Sequence, residues 1–321
     1  MKKRALIIGI LGQDGSYMAE LLYSKGYEVA GIVRTDAAET KIKWLQKLVP
    51  VIKFYFLDCN KKEQLERAIT DFKPDEIYNF AGVSDVFKPY SNLDEIININ
   101  VRMPQYVLEI INSTNKGIKF WQAGSALIYG KDTSGCQNEA TTPNPLYPYG
   151  CSKMYIQNIV KQFREDLGLF ACTGILYPHE SPRRKDNFFT KKVCLSIARI
   201  KQGKLEALNI GVLTQVRDWS YAPDICEAAW LMLQADKPDD YVIGSGVLTS
   251  LFDFVKLAFN VVDLNWTNYL VSPFNNEQNV RKLDTNVLKA DITKINKELG
   301  WKPKHNVSKI VEIMMLDALK H

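Results

Sequence analysis

Tyr149 and Lys153 stand four residues apart in the run Tyr149-Gly150-Cys151-Ser152-Lys153. That spacing places both side chains on one face of a helix. An ammonium beside a phenol favours the phenolate and lowers the phenol's pKa. Such a tyrosine exchanges a proton near neutral pH, as hydride transfer at a carbinol or carbonyl carbon requires. Ser125, in Ser125-Ala126-Leu127-Ile128-Tyr129-Gly130, supplies a second hydroxyl to polarise the same oxygen. Tyr and Lys also meet at this spacing by chance on many helices, so the pair takes its meaning from the elements that position it.

The first of those elements opens the chain. Arg4 to Ile8 is a short apolar run ending in Gly9-Ile10-Leu11-Gly12-Gln13-Asp14-Gly15, and an amphipathic segment from Ser16 to Lys25 follows, stopped by Gly26. Strand, glycine-rich turn and helix make the first unit of a dinucleotide-binding fold. Gly9 permits the tight turn, Gly12 lets the backbone approach a pyrophosphate, and Gly15 lets helix and strand pack closely. The spacing is GxxGxxG rather than GxGxxG, and its place right after a buried strand is what gives it weight.

Further strands are expected at Glu28–Val33, Ile52–Leu57, Glu76–Asn79, Lys119–Gln122 and Ala171–Leu176, with helices at Glu63–Phe72, Leu93–Asn112 and from Tyr149 to about Asp166. The alternation predicts an α/β fold, a doubly wound parallel Rossmann sheet with a smaller C-terminal substrate-binding lobe. Residues 1–176 with roughly 212–246 form the dinucleotide-binding part, and roughly 177–211 with 247–321 the lobe. Arg34 ends the second strand, where an acidic residue would accept from a ribose 2'-hydroxyl; an arginine suits a 2'-phosphate instead. The cofactor expected is therefore NADP(H), with NAD(H) the alternative through the nearby Asp36. Asp58 follows the third strand as a candidate adenine contact or a turn former. Phe80-Ala81-Gly82-Val83-Ser84 offers small residues against which a cofactor lies close. Ser125 falls at the C-terminal edge of the fifth strand, the edge where open α/β sheets bind ligands. Past the sixth strand the chain turns polar and basic, and Arg183, Arg184, Lys191, Lys192, Arg217 and Arg281 are candidates for a substrate diphosphate or, taken singly, solvated surface charges.

Composition narrows the classes. The 321 residues are 46% hydrophobic and 24% charged, as in ordinary globular proteins. The net charge of +5 is spread without a dense basic block, which disfavours nucleic acid and suits a phosphate-bearing small molecule. Cys59, Cys136, Cys151, Cys172, Cys194 and Cys226 are far apart and have no metal-ligand spacing. They read as reduced thiols of a cytoplasmic protein, with no metal site expected. Gly9, Gln13 and Asp14 interrupt the first apolar run, unlike a signal peptide. No run of about 18 apolar residues is present, so no membrane span is expected.

The glycine turn, Ser125 and Tyr149-x-x-x-Lys153 together resemble the extended short-chain dehydrogenase/reductase superfamily. Gly9-Ile10-Leu11-Gly12-Gln13-Asp14-Gly15-Ser16-Tyr17, Gly31-Ile32-Val33-Arg34, Pro74-Asp75-Glu76-Ile77-Tyr78-Asn79, His179-Glu180-Ser181-Pro182-Arg183-Arg184, Arg217-Asp218-Trp219 and Gly300-Trp301-Lys302-Pro303 resemble its GDP-mannose 4,6-dehydratase branch, in that family's order along nearly the whole chain. The resemblance implies that Gly9, Gly12, Gln13, Asp14, Gly15, Arg34, Asp58, Ala81, Tyr149 and Lys153 meet the cofactor. It implies Ser125, Tyr149 and Lys153 as the catalytic group. Toward a GDP-sugar it implies Ser84, Asp85, Leu127, His179, Glu180, Arg184, Lys191, Arg217, Arg281 and Asp284. Pairing of the long helices across a two-fold axis, as in relatives, implies a homodimer or a tetramer.

The departures bear on the reaction. In the dehydratases a Thr/Ser is followed two residues later by a Glu that takes the proton from sugar C5 as water leaves C6; here that position is Leu127. A leucine does no acid–base work, and losing a general base costs about 10²–10⁴-fold. Pro178 stands where the family has Asn, and Asp85 where it has His. Three readings follow. One is an oxidoreductase at C4 of a GDP-linked sugar, a reductase of a 4-keto-6-deoxy (or 4-keto heptose) sugar, or with the chemistry reversed or run both ways a C4 dehydrogenase or epimerase. The second is a true 4,6-dehydratase with Asp85 or another group as base. The third is a non-catalytic dinucleotide-binding sensor, against which the intact Ser125, Tyr149 and Lys153 stand.

Overall fold

Short runs of apolar residues that are buried on both faces make parallel strands, and six such runs with a more exposed edge strand form the central sheet of the computed structural model, which describes residues 2–84, 92–130, 135–211, 213–271 and 287–321. Asp85, Arg281 and Asp284 lie outside the described residues. The strands are β1 (Arg4–Ile8), β2 (Glu28–Val33), β3 (Lys53–Phe56), β4 (Glu76–Asn79), β5 (Lys119–Ala123), β6 (Ala171–Leu176) and a last strand, Tyr241–Ile243. They lie in the order Tyr241–Ile243, β6, β5, β4, β1, β2, β3, and every pairing is parallel. The order reverses between β1 and β4, which register Ile8 against Asn79. That reversal opens a crevice at the C-terminal edge of the sheet, and Gly9, Phe80 and Ser125 emerge around it.

Both faces of the sheet are covered. Helix α1 (Gln13–Ser24) and the helix Ala222–Gln234 bury Met18, Leu22, Ile225, Ala229 and Leu233 against one face. The helices Lys62–Phe72, Met103–Thr114 and Pro148–Glu165 bury Leu65, Phe72, Val107, Ile111, Ile156 and Val160 against the other. A separate apolar cluster joins the helices Phe189–Lys201, Leu251–Val261 and Val307–Ala318 through Val193, Ile197, Phe254, Phe259, Ile310 and Met314. Two helices of this cluster start on side-chain caps, Ser250 accepting from the Asp253 N–H and Asn306 from the Lys309 N–H.

Three departures from the sequence expectation have physical reasons. The third strand is shorter than expected, Lys53–Phe56, because it lies at the sheet edge with β2 as its one partner. The helix Glu39–Leu48 follows Arg34 unanticipated. Leu45 is its buried residue and the remaining positions are largely polar or exposed, so it buries little against the sheet. The expected helix over Leu93–Asn112 is instead Leu93–Ile97, a π-helical turn at Asn98–Arg102, and Met103–Thr114. A π turn inserts an extra residue into the helical ladder, and here it turns the Asn100 side chain into the protein, where it is 1% exposed.

Candidate active site

The glycine turn is built by close approach. Gly9 adopts φ +82°, and a Cβ there would lie 2.7 Å from the Ala81 nitrogen; one on Gly15 would lie 2.3 Å from the Gly9 carbonyl oxygen. The Gly12 N–H donates to the Gly9 carbonyl at 3.0 Å, so the turn folds directly into α1 and aims that helix's free N–H groups at the crevice. Ala81 donates its N–H to Asn79 Oδ1 at 3.1 Å, which holds the end of β4 beside the turn.

Tyr149 and Lys153 sit in the first turns of the helix Pro148–Glu165. Pro148 suits the helix start because its missing N–H is one that has no intrahelical partner. Lys153 is 3% exposed. Its ammonium donates to the Ala123 carbonyl at 2.8 Å and lies 5.8 Å from the centroid of the Tyr149 ring. Burial pulls its pKa down to about 8. Ser125 follows β5 and accepts the Leu127 N–H at 3.2 Å, with its hydroxyl near enough to the Tyr149 phenol to favour the phenol's charged form. One expectation is corrected here. Burial raises the Tyr149 phenol above its ordinary value, and the nearby Ser125 hydroxyl and the Arg184 charge offset that only in part. The lysine lies below the ring on its own carbonyl partner and does not reverse the cost of burial. Tyr149 is therefore held as the neutral phenol.

Asn100 is a member of this group that the sequence analysis missed. Its Oδ1 accepts the Val83 N–H at 2.8 Å, and its Nδ2 donates to Ser152 Oγ at 3.1 Å and the Val83 carbonyl at 3.3 Å. Ser152 in turn donates to the Tyr149 carbonyl at 2.7 Å. Asn100 thus ties the loop after β4 to the helix that carries Tyr149 and Lys153. Its only signal in the sequence is a pair of asparagines, Asn98 and Asn100, in a helix-forming stretch that otherwise disfavours them.

The remaining predicted residues divide by where their partners lie. Asp14 accepts from His179 Nε2 at 3.1 Å, and His179 Nδ1 meets the Tyr177 carbonyl at 2.7 Å. Burial works against both charged forms, yet each favours the other's charge: His179 is raised and Asp14 lowered from their ordinary values. Arg184 lies 3.3 Å from the Glu180 carboxylate and stacks on Phe188 at 3.7 Å, within electrostatic reach of Tyr149. Lys191 is 6% exposed and is engaged by the Pro182 carbonyl at 2.8 Å and Asp317 at 3.0 Å. Arg217 donates to the Val216 carbonyl at 2.8 Å and to Gln215 at 3.1 Å. Arg34 forms a two-point pair with Asp36 on the surface, and Asp58 Oδ1 accepts the Asn60 N–H at 3.0 Å in a turn. Ser84 is exposed, and Leu127 is half-buried in the 3₁₀ turn Ala126–Ile128. No group of three or more potential metal ligands occurs among the described residues.

A parallel sheet with a glycine turn at its switch point, and a Ser–Tyr–Lys group at the same edge, define an extended short-chain dehydrogenase/reductase enzyme. The fold resembles that of UDP-glucose 4-epimerase from Thermotoga maritima, with a TM-score of 0.85 at 21% identity over 99% of each chain. It also resembles RMD from Pseudomonas aeruginosa, whose structure is complexed with NADPH, with a TM-score of 0.82 at 18% identity over 99% of each chain. In sequence, the chain is 36% identical to GDP-mannose 4,6 dehydratase 1 of Arabidopsis thaliana over 330 residues, 99% of this chain and 90% of that protein. The family model for GDP-mannose 4,6 dehydratase matches residues 6–314. The chain belongs to the GDP-mannose 4,6-dehydratase family.

Proposed function

We propose that this family member is an NADP-dependent oxidoreductase acting at C4 of a GDP-linked sugar, a reductase of a 4-keto-6-deoxy (or heptose) sugar in the synthesis of surface-polysaccharide precursors. The observation that carries the reading is the intact Ser125–Tyr149–Lys153 group, its serine and lysine buried and its tyrosine half-buried, with an apolar side chain, Leu127, two residues past the serine. That arrangement keeps what hydride transfer needs and lacks, at that position, the base that elimination of water needs.

A nicotinamide cofactor fits the residues present. The free N–H groups at the start of α1 suit its diphosphate. Gly82 has no side chain where a Cβ would stand 3.5 Å from Lys153 Nζ, which leaves room beside the lysine. Among the described residues Lys153 has one hydrogen-bond acceptor, the Ala123 carbonyl, which leaves two donor positions. When bound, the cofactor supplies the hydride. Tyr149, held as a neutral phenol, donates its proton to the C4 oxygen, so that the ketone gains one hydride and one proton and becomes the alcohol. Ser125 donates a hydrogen bond to the same oxygen, and the Lys153 ammonium stabilises the phenolate left behind. In this reading Arg34 turns from Asp36 to a 2'-phosphate, while Arg184 and Arg217 face the nucleotide diphosphate. The enzyme works in the cytoplasm as a homodimer, with the cofactor on residues 1–176 and 212–246 and the sugar nucleotide on the rest.

A second reading, the 4,6-dehydratase itself, is favoured by the names of the relatives and needs a different base. The test is mass spectrometry of GDP-mannose incubated with the protein and NADP. The expected outcome is no loss of water; its loss would overturn the reductase in favour of the dehydratase. Offered the 4-keto-6-deoxy sugar nucleotide and NADPH, the protein is expected to add two hydrogens and consume the cofactor. An unconsumed cofactor counts against reduction.

A further inference from the structure

Gln13 and Asp14 directly follow the glycine turn, where the resemblance assigns them to the cofactor, yet their side chains are committed elsewhere. The Gln13 amide nitrogen donates to Asp14 Oδ1 at 3.0 Å and to the His179 carbonyl at 3.2 Å. Its amide oxygen accepts from Ser181 Oγ at 2.8 Å. Asp14 Oδ2 takes the His179 ring at 3.1 Å. Both amide hydrogens of Gln13 and both oxygens of Asp14 are therefore in use. What this stretch keeps for a phosphate is its backbone N–H groups.

The partners all belong to one segment, His179 to Arg184. Arg183 adds a third fastening to α1, donating to Ser16 Oγ at 3.1 Å and to Glu20 at 2.6 Å while stacking on Tyr17 at 3.7 Å. The next residue, Arg184, sets its guanidinium against Glu180 and Phe188 instead. Its Nε is buried with no hydrogen-bond acceptor in good geometry, and its charge reaches Tyr149, Asp14 and His179.

We infer that Gln13 and Asp14 are positioning residues for Arg184: they strap the His179–Arg184 segment to the first turn of α1, and only the backbone of that turn meets the cofactor. One helix start thereby sets the distance between the cofactor's diphosphate and the guanidinium that faces the sugar nucleotide. The inference rests on the proposed reading only in taking Arg184 as a contact of the nucleotide diphosphate.

The test uses the full chain with GDP and NADPH as separate probes, each titrated by calorimetry. Asp14→Asn and His179→Gln are each expected to weaken GDP about tenfold, the loss of one charge-assisted hydrogen bond. NADPH affinity should stay within about twofold, and the double variant should be no weaker for GDP than either single one. A rise in the NADPH Kd with GDP binding unchanged would make these side chains cofactor contacts and overturn the inference. If the unaltered protein fails to bind GDP, the proposed substrate class is what has failed. The strap is then read by hydrogen exchange: amides of 179–184 are expected to exchange faster in Asp14→Asn, and unchanged exchange there overturns it.

Discussion

Two buried polar clusters lie at opposite edges of the same parallel sheet, and they are built on opposite terms. At the N-terminal edge, Glu76 is 1% exposed at the start of β4. Its Oε1 accepts from Lys3 at 3.2 Å, Tyr27 at 3.2 Å and Gln234 at 3.1 Å, and its Oε2 from Tyr78 at 2.7 Å. At the C-terminal edge, Lys153 is nearly as buried and has, among the described residues, a single carbonyl for its charge. The first cluster is satisfied by the fold alone and binds β1, β2, β4 and the helix Ala222–Gln234 together. The second leaves donors unused and a charge poorly compensated, and so keeps its bonding capacity for something the chain does not contain. A fully paired buried network stabilises, whereas a half-paired one costs stability. Buried polarity marks a site where it is left incomplete.

The largest effect that would sharpen this contrast is chemical. Tyr149→Phe is expected to lower kcat by about 10²–10⁴-fold, measured as NADPH consumption on the keto-sugar nucleotide, with an unchanged urea midpoint. A loss of stability instead would place Tyr149 among the structural groups. Next comes the opposite edge. Glu76→Ala strands the Tyr27 and Tyr78 hydroxyls and should cost about 2–4 kcal/mol of stability in urea unfolding, leaving the turnover of the folded fraction intact. Lys153→Met should abolish turnover yet raise stability at pH 7 by about 1–3 kcal/mol, because an apolar isostere replaces an uncompensated charge. A destabilised variant would break the comparison.

The smallest effect is the pH dependence of that gain. The folded-state pKa of Lys153 lies at about 8, below the ordinary 10.5. Below the folded value the lysine is charged in both states and the cost of burying it is fully present. Between the two values the unfolded chain binds more protons, so stability rises with pH. The stability difference between Lys153→Met and the unaltered protein should therefore be constant below pH 8 and shrink toward pH 10.5. A difference that stays flat through that range would mean the lysine is not desolvated as described.

The sheet was legible in the sequence because strands buried on both faces are runs of consecutive apolar residues. β1, β2, β4 and β6 begin and end where the residue pattern puts them. Gly9 was legible because a left-handed turn against the Ala81 backbone admits no Cβ. The helix Glu39–Leu48 and the π turn at Asn98–Arg102 were not. The first is shaped by packing on a single buried leucine, and the second by a contact with Ser152 fifty-two residues away.

The chain by itself determined which functional groups exist and along which elements they lie: a glycine turn after a buried strand, a serine at a strand end, and a phenol and an amine on one helical face. These follow from residue type and local periodicity, which act over a few positions. Only the tertiary structure decided what those groups do with their charge and their hydrogen bonds. It paired Lys191 with Asp317 and turned Gln13 and Asp14 toward His179 and Ser181. It kept Tyr149 protonated by burying it and left Lys153 under-partnered. Desolvation and partner choice depend on atoms far apart in sequence, and no local pattern of residues encodes them.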